Sequence, residues 1–365
     1  MSLALRNLFQ DKTRLALSIG GVALAVMLAM LLNGLLAGMY VQISSYLENA
    51  PGSIVVAQEG VNNLLAATSI LPGGAAAAVK SQGAAKVVPI LSQFIILDLH
   101  ERKQPAYLIG YDPKIGGGPW KMAAGREPRN DREVVFDRTL AQRHGIALDE
   151  TLEILDRDFT VVGLSEGTSS WMTSFIFVRK TAAENLLRAP NATSFLLVSP
   201  PARFDDTAMM ARLREITKVE IVPKREMMAN DVKLFGKFFS APLQLMVAIA
   251  FLVGVLVVGL VIYTATMERQ REYGVLKAIG ARNGMLYRVV TLQAFIATGV
   301  GAVIGVAVAF GAAQLIMAVY PQFLVVLEPP AALQALVSGL GIALLAALFP
   351  VRVLARLAPA EVFRK

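Results

Sequence analysis

Residues 251–263 read FLVGVLVVGLVIY, with no charge, and residues 266–286 follow as TMERQREYGVLKAIGARNGML. An apolar run fit for a bilayer passes without a break into Glu268, Arg269, Arg271 and Glu272. A short amphipathic stretch, 273–279, comes next and ends at Gly280, a residue suited to a left-handed helix cap. The first question is whether the rest of the chain is also built for a membrane.

Composition says that it is. Of 365 residues 55% are hydrophobic, only 17% are charged, and the mean hydropathy is +0.56, too apolar for an ordinary soluble protein of this length. A spanning helix needs about 20 apolar residues. Uncharged runs cover 15–39, 238–267, 289–320 and 329–351, which predicts four spans. The first run follows Lys12 and Arg14 as a signal peptide would. It is too long for a signal core and has no small-x-small cleavage site before Glu48, so it reads as a retained helix.

Charge sets the orientation. Arg6, Lys12 and Arg14 precede span one; Arg269, Arg271, Lys277, Arg282 and Arg288 lie between spans two and three; Arg352, Arg356, Arg364 and Lys365 follow span four. These twelve basic residues face only Asp11, Glu268, Glu272 and Glu361, which accounts for the whole net charge of +8. Both termini and the elbow at 268–288 are therefore predicted to be cytoplasmic, in a bacterial inner membrane, with the large domain outside. The high pI reflects topology and attraction to anionic lipid. Without a basic and aromatic recognition module it does not indicate nucleic-acid binding.

The expected layout is an amphipathic leading helix at 1–14, span one at 15–40, a folded domain at 41–237 and span two at 238–267. The elbow at 268–288, span three at 289–319, a short outer loop at 320–330, span four at 331–350 and a cytoplasmic tail at 351–365 follow. The fold class is thus a membrane protein of four transmembrane α-helices with an α+β extracytoplasmic domain inserted between spans one and two. In that domain SIVVA, KVVPILSQFIILDL, PAYLIGY, REVVF, TLEIL and FTVVGL read as strands; DRTLAQRHG, TAAENLLR and DDTAMMARLREI read as capped helices. Asp156, Arg157 and Asp158 suggest a tight hairpin turn. Residues 227–239 read as a helix that runs straight into span two. Two Gly- and Ala-rich stretches, LPGGAAAAVKSQGAA from Leu71 and IGGGPWKMAAG from Ile115, read as surface loops.

Catalytic chemistry is mostly missing. There is no Cys, and the two histidines, His100 and His144, lie in separate segments without the carboxylate spacing of a metal site. Gly163-Leu-Ser165-Glu-Gly167 matches a nucleophile elbow, but no His follows it, so it reads as a strand-end turn. No phosphate-binding loop occurs, so any ATPase belongs to another chain.

On composition alone the elbow is either a plain juxtamembrane hairpin or a stiff connector that passes force to a cytoplasmic partner. Its residues, Glu268, Arg271, Glu272, Tyr273, Gly274, Val275, Leu276, Lys277, Ala278, Ile279, Gly280 and Ala281, resemble the coupling-helix motif of MacB/FtsX-type ABC transporter permeases. LALRNLFQDKTRLALSIGGVALAV from Leu3 is similar to that family's leading helix and first span. FPVRVLARLAPAEVFRK from Phe349 is similar to its closing pattern, and REVVFDRTLAQRHGIALDETLEILDRDFTVVGL from Arg132 to its strand, helix and hairpin segment. Leu148-Asp149 replaces the family's usual Gly-Asp before that hairpin.

The resemblance implies a non-catalytic subunit that works as a homodimer with two copies of an ABC ATPase, on which ATP and Mg bind. It also implies a possible periplasmic adaptor or carrier, and surrounding lipid. Gly34 and Gly38 in span one, and Gly301 and Gly305 in span three, allow close helix approach, either between protomers or within one. Met27, Met30 and Asn33 follow one another at helical spacing, either as lipid-facing or core residues or as the wall of a pocket for a hydrophobic molecule such as haem, a lipid or a drug. The leading reading is export of a hydrophobic or amphiphilic substrate. The alternative is a mechanical signalling module that switches an extracytoplasmic partner, such as a cell-wall hydrolase, and transports nothing.

Overall fold

A computed structural model describes residues 12–170, 174–268, 271, 272, 274, 275, 279, 283–330, 333–335, 337, 339, 341, 342 and 344–346. The chain divides into two compact units: 39–238 with 321–324, and 1–38 with 239–320 and 325–365.

The first unit is built on a ten-stranded sheet. Its elements, in chain order, are Ile54–Gln58 (β1), Ala75–Ser81 (α2), Lys86–Leu99 (β2), Arg102–Tyr111 (β3), Met122–Gly125 (β4), Glu133–Asp137 (β5) and Arg138–His144 (α3). Thr151–Glu153 (β6), Asp158–Ser165 (β7), Ser174–Arg179 (β8), Lys180–Leu186 (α4), Phe195–Ser199 (β9), Asp206–Leu213 (α5) and Val219–Pro223 (β10) follow. Lys12–Asn49 (α1) supplies its last turns to this unit, and Lys224–Glu268 (α6) its first.

The strand order is β10-β1-β9-β2-β3-β8-β5-β7-β4, with β6 paired to β7; the β3–β8 and β5–β7 pairs are parallel and the rest antiparallel. The long β2 holds the sheet together, because 86–90 pair with β9 and 91–99 pair with β3.

Side-chain alternation then sets the layers. On β8, Ile176 and Val178 enter the cluster covered by α3 and α4, while Phe175 and Phe177 enter the opposite one, covered by Tyr46 and Leu47 of α1 and Met227 of α6. Strand β5 is buried along its whole length because it is covered on both faces. A third cluster packs α2 and α5 on β1, β9 and β10.

Three expectations need correcting. The stretch from Leu71 is not only loop: its alanine run, with the best intrinsic helix propensity, forms α2 and buries Ala75 and Val79. The stretch from Ile115 ends in β4, and its loop is pinned inward, since the Tyr46 hydroxyl donates to the Gly117 carbonyl at 2.7 Å. The hairpin turn falls one residue earlier than expected. Leu155 and Asp156 are its central residues, both with positive φ (49° and 61°), between the paired Ile154 and Arg157.

In the second unit α1, α6 and Asn283–Val319 (α7) are each long and apolar enough to cross a membrane. The described residues of the expected fourth span are helical, and the rest of that span lies outside the described residues, as do 1–11 and 347–365. Pro242 sits inside α6, so the Phe238 carbonyl lacks the usual donor four residues on.

Candidate functional site

Glu268 ends α6 in an exposed position, Arg271 and Glu272 are helical and exposed, and Gly274 is buried. Val275 is 46% and Ile279 76% exposed, and the Ile279 N–H donates to the Val275 carbonyl at 3.1 Å. That bond is one helical turn, so the two apolar side chains lie on one face. Tyr273, Leu276, Lys277, Ala278, Gly280 and Ala281 lie outside the described residues.

The glycines pack within the protomer. A β-carbon on Gly301 would lie 2.8 Å from the Ile19 carbonyl oxygen, and one on Gly305 2.6 Å from that of Ala23, so α7 seats α1 in its glycine groove. One on Gly34 would lie 2.7 Å from Leu327, and the Gly34 carbonyl accepts the Val326 N–H at 3.0 Å. Gly38 is buried as well.

The three residues proposed as a pocket wall are not brought together. Met30 is 2% exposed inside the helix cluster, Met27 packs against that cluster half-buried, and Asn33 is exposed with its amide bonded to the Ala29 carbonyl at 2.9 Å.

In the sheet unit Ser165 is buried, and its hydroxyl bonds the Phe136 carbonyl at 3.1 Å, as a structural serine does. His100 and His144 are not separate in space: the His100 Nδ1 lies 2.9 Å from the His144 carbonyl and its Nε2 3.2 Å from Glu150. Among the described residues no cluster fit to hold a metal is present.

What sequence reasoning missed lies where α1 and α6 cover the sheet. Met39, Gln42 and Ile43 of α1, Phe235 of α6, and Tyr107 and Phe175 of the sheet line a cavity of about 180 Å³. Beside it, Asp231 of α6 is 1% exposed and accepts the N–H groups of Leu64 (3.1 Å) and Leu65 (3.0 Å). Leu65, also a lining residue, accepts the Tyr107 hydroxyl through its carbonyl. Burial pushes the Asp231 carboxyl up to about 6 against the pull of its two backbone donors, and it raises the Tyr107 phenol too.

The signal for both polar residues was present. Met227, Asp231 and Phe235 are spaced by four, and Met39, Gln42 and Tyr46 by three and four, so each polar side chain interrupts an apolar helix stripe.

Residues 15–216 match the family of MacB-like periplasmic core domains, more than half of the chain, and residues 245–359 match the FtsX-like permease C-terminal family. The chain belongs to the MacB/FtsX-type ABC transporter permeases. An uncharacterized ABC transporter permease of Mycobacterium tuberculosis is 25% identical to this permease over 365 residues, 99% of this chain and 98% of its own length. The putative hemin transport system permease protein HrtB of Staphylococcus epidermidis is 22% identical over 197 residues, 53% of each chain. Of solved structures, the periplasmic region of MacB from Actinobacillus actinomycetemcomitans aligns with a TM-score of 0.38 at 15% identity, over 50% of this permease and 94% of that chain. As a permease it is a membrane protein, its α+β domain is extracellular, and its family implies an ABC ATPase as partner.

Proposed function

We propose that this permease couples ATP hydrolysis on a separate ATPase chain to movement of its extracytoplasmic domain, and so drives export or extraction of a hydrophobic or amphiphilic molecule. The observation that carries the coupling is the exposed pair Val275 and Ile279, one turn apart on the elbow after α6. In this reading two copies of the chain pair, each elbow is held by one ATPase subunit carrying ATP and Mg, both termini are cytoplasmic, and an adaptor or carrier receives the cargo outside. Four spans cross a bacterial inner membrane. The glycine contacts of α7 serve packing within the protomer, which leaves the pairing surface to other residues. The hemin system named for one relative supports an apolar cargo class.

A second reading, mechanical control of an extracytoplasmic partner without transport, is supported by α6, a single helix from Lys224 to Glu268. Affinity purification from the native membrane separates the two: an ATPase with an adaptor or carrier supports export, and an ATPase with a cell-wall enzyme supports control. Ile279→Asp is expected to abolish recovery of the ATPase while leaving the amount of inserted permease unchanged. Full recovery of the ATPase with this variant would overturn the coupling assignment.

A further inference from the structure

The cavity bounded by α1, α6 and the sheet serves no purpose in the coupling described above, and interiors seldom keep voids much larger than a water molecule. Its lining is mainly apolar: Met39, Ile43, Phe94, Tyr107, Phe175 and Phe235. Its shape is fixed on one side, because Leu65 is held through its N–H by Asp231 and through its carbonyl by Tyr107. The Gln42 amide nitrogen donates to the Gln322 carbonyl at 3.0 Å and faces the Ser169 carbonyl at 3.4 Å, which orients the side chain. The Gln42 Oε1 is itself enclosed by protein, with no hydrogen-bonding partner among the described residues.

From this preformed, mainly apolar cavity we infer that it is a binding site for an alkyl or ring-sized apolar group. Size agrees: an apolar cavity of about 150 Å³ stays dry and takes up benzene, and this one measures about 180 Å³. Phe94, 48% exposed, sits at its rim and gives the ligand an apolar approach. Helix α1 contributes Met39, the first residue of this unit, and α6 contributes Phe235, three residues before the unit ends, so both helices that continue into spans contribute to the walls. That the ligand is the cargo rests on the proposed function; that the cavity binds such a group does not.

The test uses the full chain in lipid nanodiscs, without ATPase, irradiated with an octanol that bears a diazirine on its chain and mapped by peptide mass spectrometry. Labels are expected on Ile43, Phe94, Tyr107 or Phe175. Ile43→Trp, which fills the cavity, should lower them about tenfold. Should that variant misfold, Phe94→Glu at the exposed rim keeps the fold and should also lower them. Labelling confined to lipid-facing residues such as Leu252 and Leu256, or unchanged by both Ile43→Trp and Phe94→Glu, would overturn the site. Recovery of the ATPase is scored separately, so loss of one assignment leaves the other standing.

Discussion

Glu133 and Asp231 are both buried carboxylates of the extracytoplasmic domain, 7% and 1% exposed, and they are held in opposite ways. Glu133 accepts both terminal nitrogens of Arg126, at 2.6 and 2.9 Å, the Arg129 N–H at 2.6 Å and the Asn130 amide at 2.7 Å. That company, led by Arg126, holds its pKa down to about 2. Asp231 has backbone donors and no cation among its bonds to the described residues, so desolvation wins and its pKa rises to about 6. Glu133 ties the sheet domain to itself. Asp231 ties it to α6, a helix long and apolar enough to cross a membrane, through a contact that changes its proton within a mild pH range.

Removing Glu133 should have the largest effect. Glu133→Ala orphans the Arg129 N–H and the Asn130 amide, about 1 kcal/mol each, with a smaller share from an Arg126 side chain that is 39% exposed. The expected loss is about 2–3 kcal/mol, read as a lowered unfolding midpoint by tryptophan fluorescence. Both tryptophans, Trp120 and Trp171, fall between residues 39 and 238, so this signal reports on that unit. An unchanged midpoint would remove the contrast.

Asp231→Ala should cost less, about 1 kcal/mol at neutral pH, because the two orphaned N–H groups are offset by relief of a buried charge. A loss larger than that of Glu133→Ala would reverse the ranking of the two corners.

The pH profile sharpens the comparison further. Glu133 has a depressed folded pKa, so its stabilisation is present above 4.5 and is lost as pH falls toward about 2. Asp231 has a raised folded pKa, so its contribution is full below 3.8 and declines as pH rises through about 6. The smallest effect is expected of Asp231→Asn, which keeps an acceptor for Leu64 and Leu65, changes the neutral-pH midpoint little and flattens the decline between those values. A slope there equal to that of the wild type would show that Asp231 is not its source.

The apolar runs and most strands of the domain were readable from the chain because each follows a simple period or a charge boundary. Arg138–His144 was marked by Asp137, whose carboxylate accepts from Thr139 and Leu140, and by Gly145 at φ 68°. The helix at Ala75 was hidden by the surrounding glycines, although its alanines favour it. The cavity was hidden for a different reason. Stripe counting records apolar residues, and the informative residues there, Gln42 and Asp231, are the polar interruptions. The Met27, Met30 and Asn33 series shows the converse: regular spacing places residues along one helix, but only packing decides that Met30 is enclosed while Asn33 is not.

Pro242 gives α6 an uneven mechanical character. A regular helix resists bending equally in all directions because every face carries its ladder of bonds. Here one rung is missing between Phe238 and Pro242, just past Lys237 and at the edge of the apolar run. Thrust along the axis still passes through the remaining rungs, whereas a sideways load opens the helix at that single face. The rod that joins Asp231 to the elbow is thus a strut for push and pull and a hinge for shear.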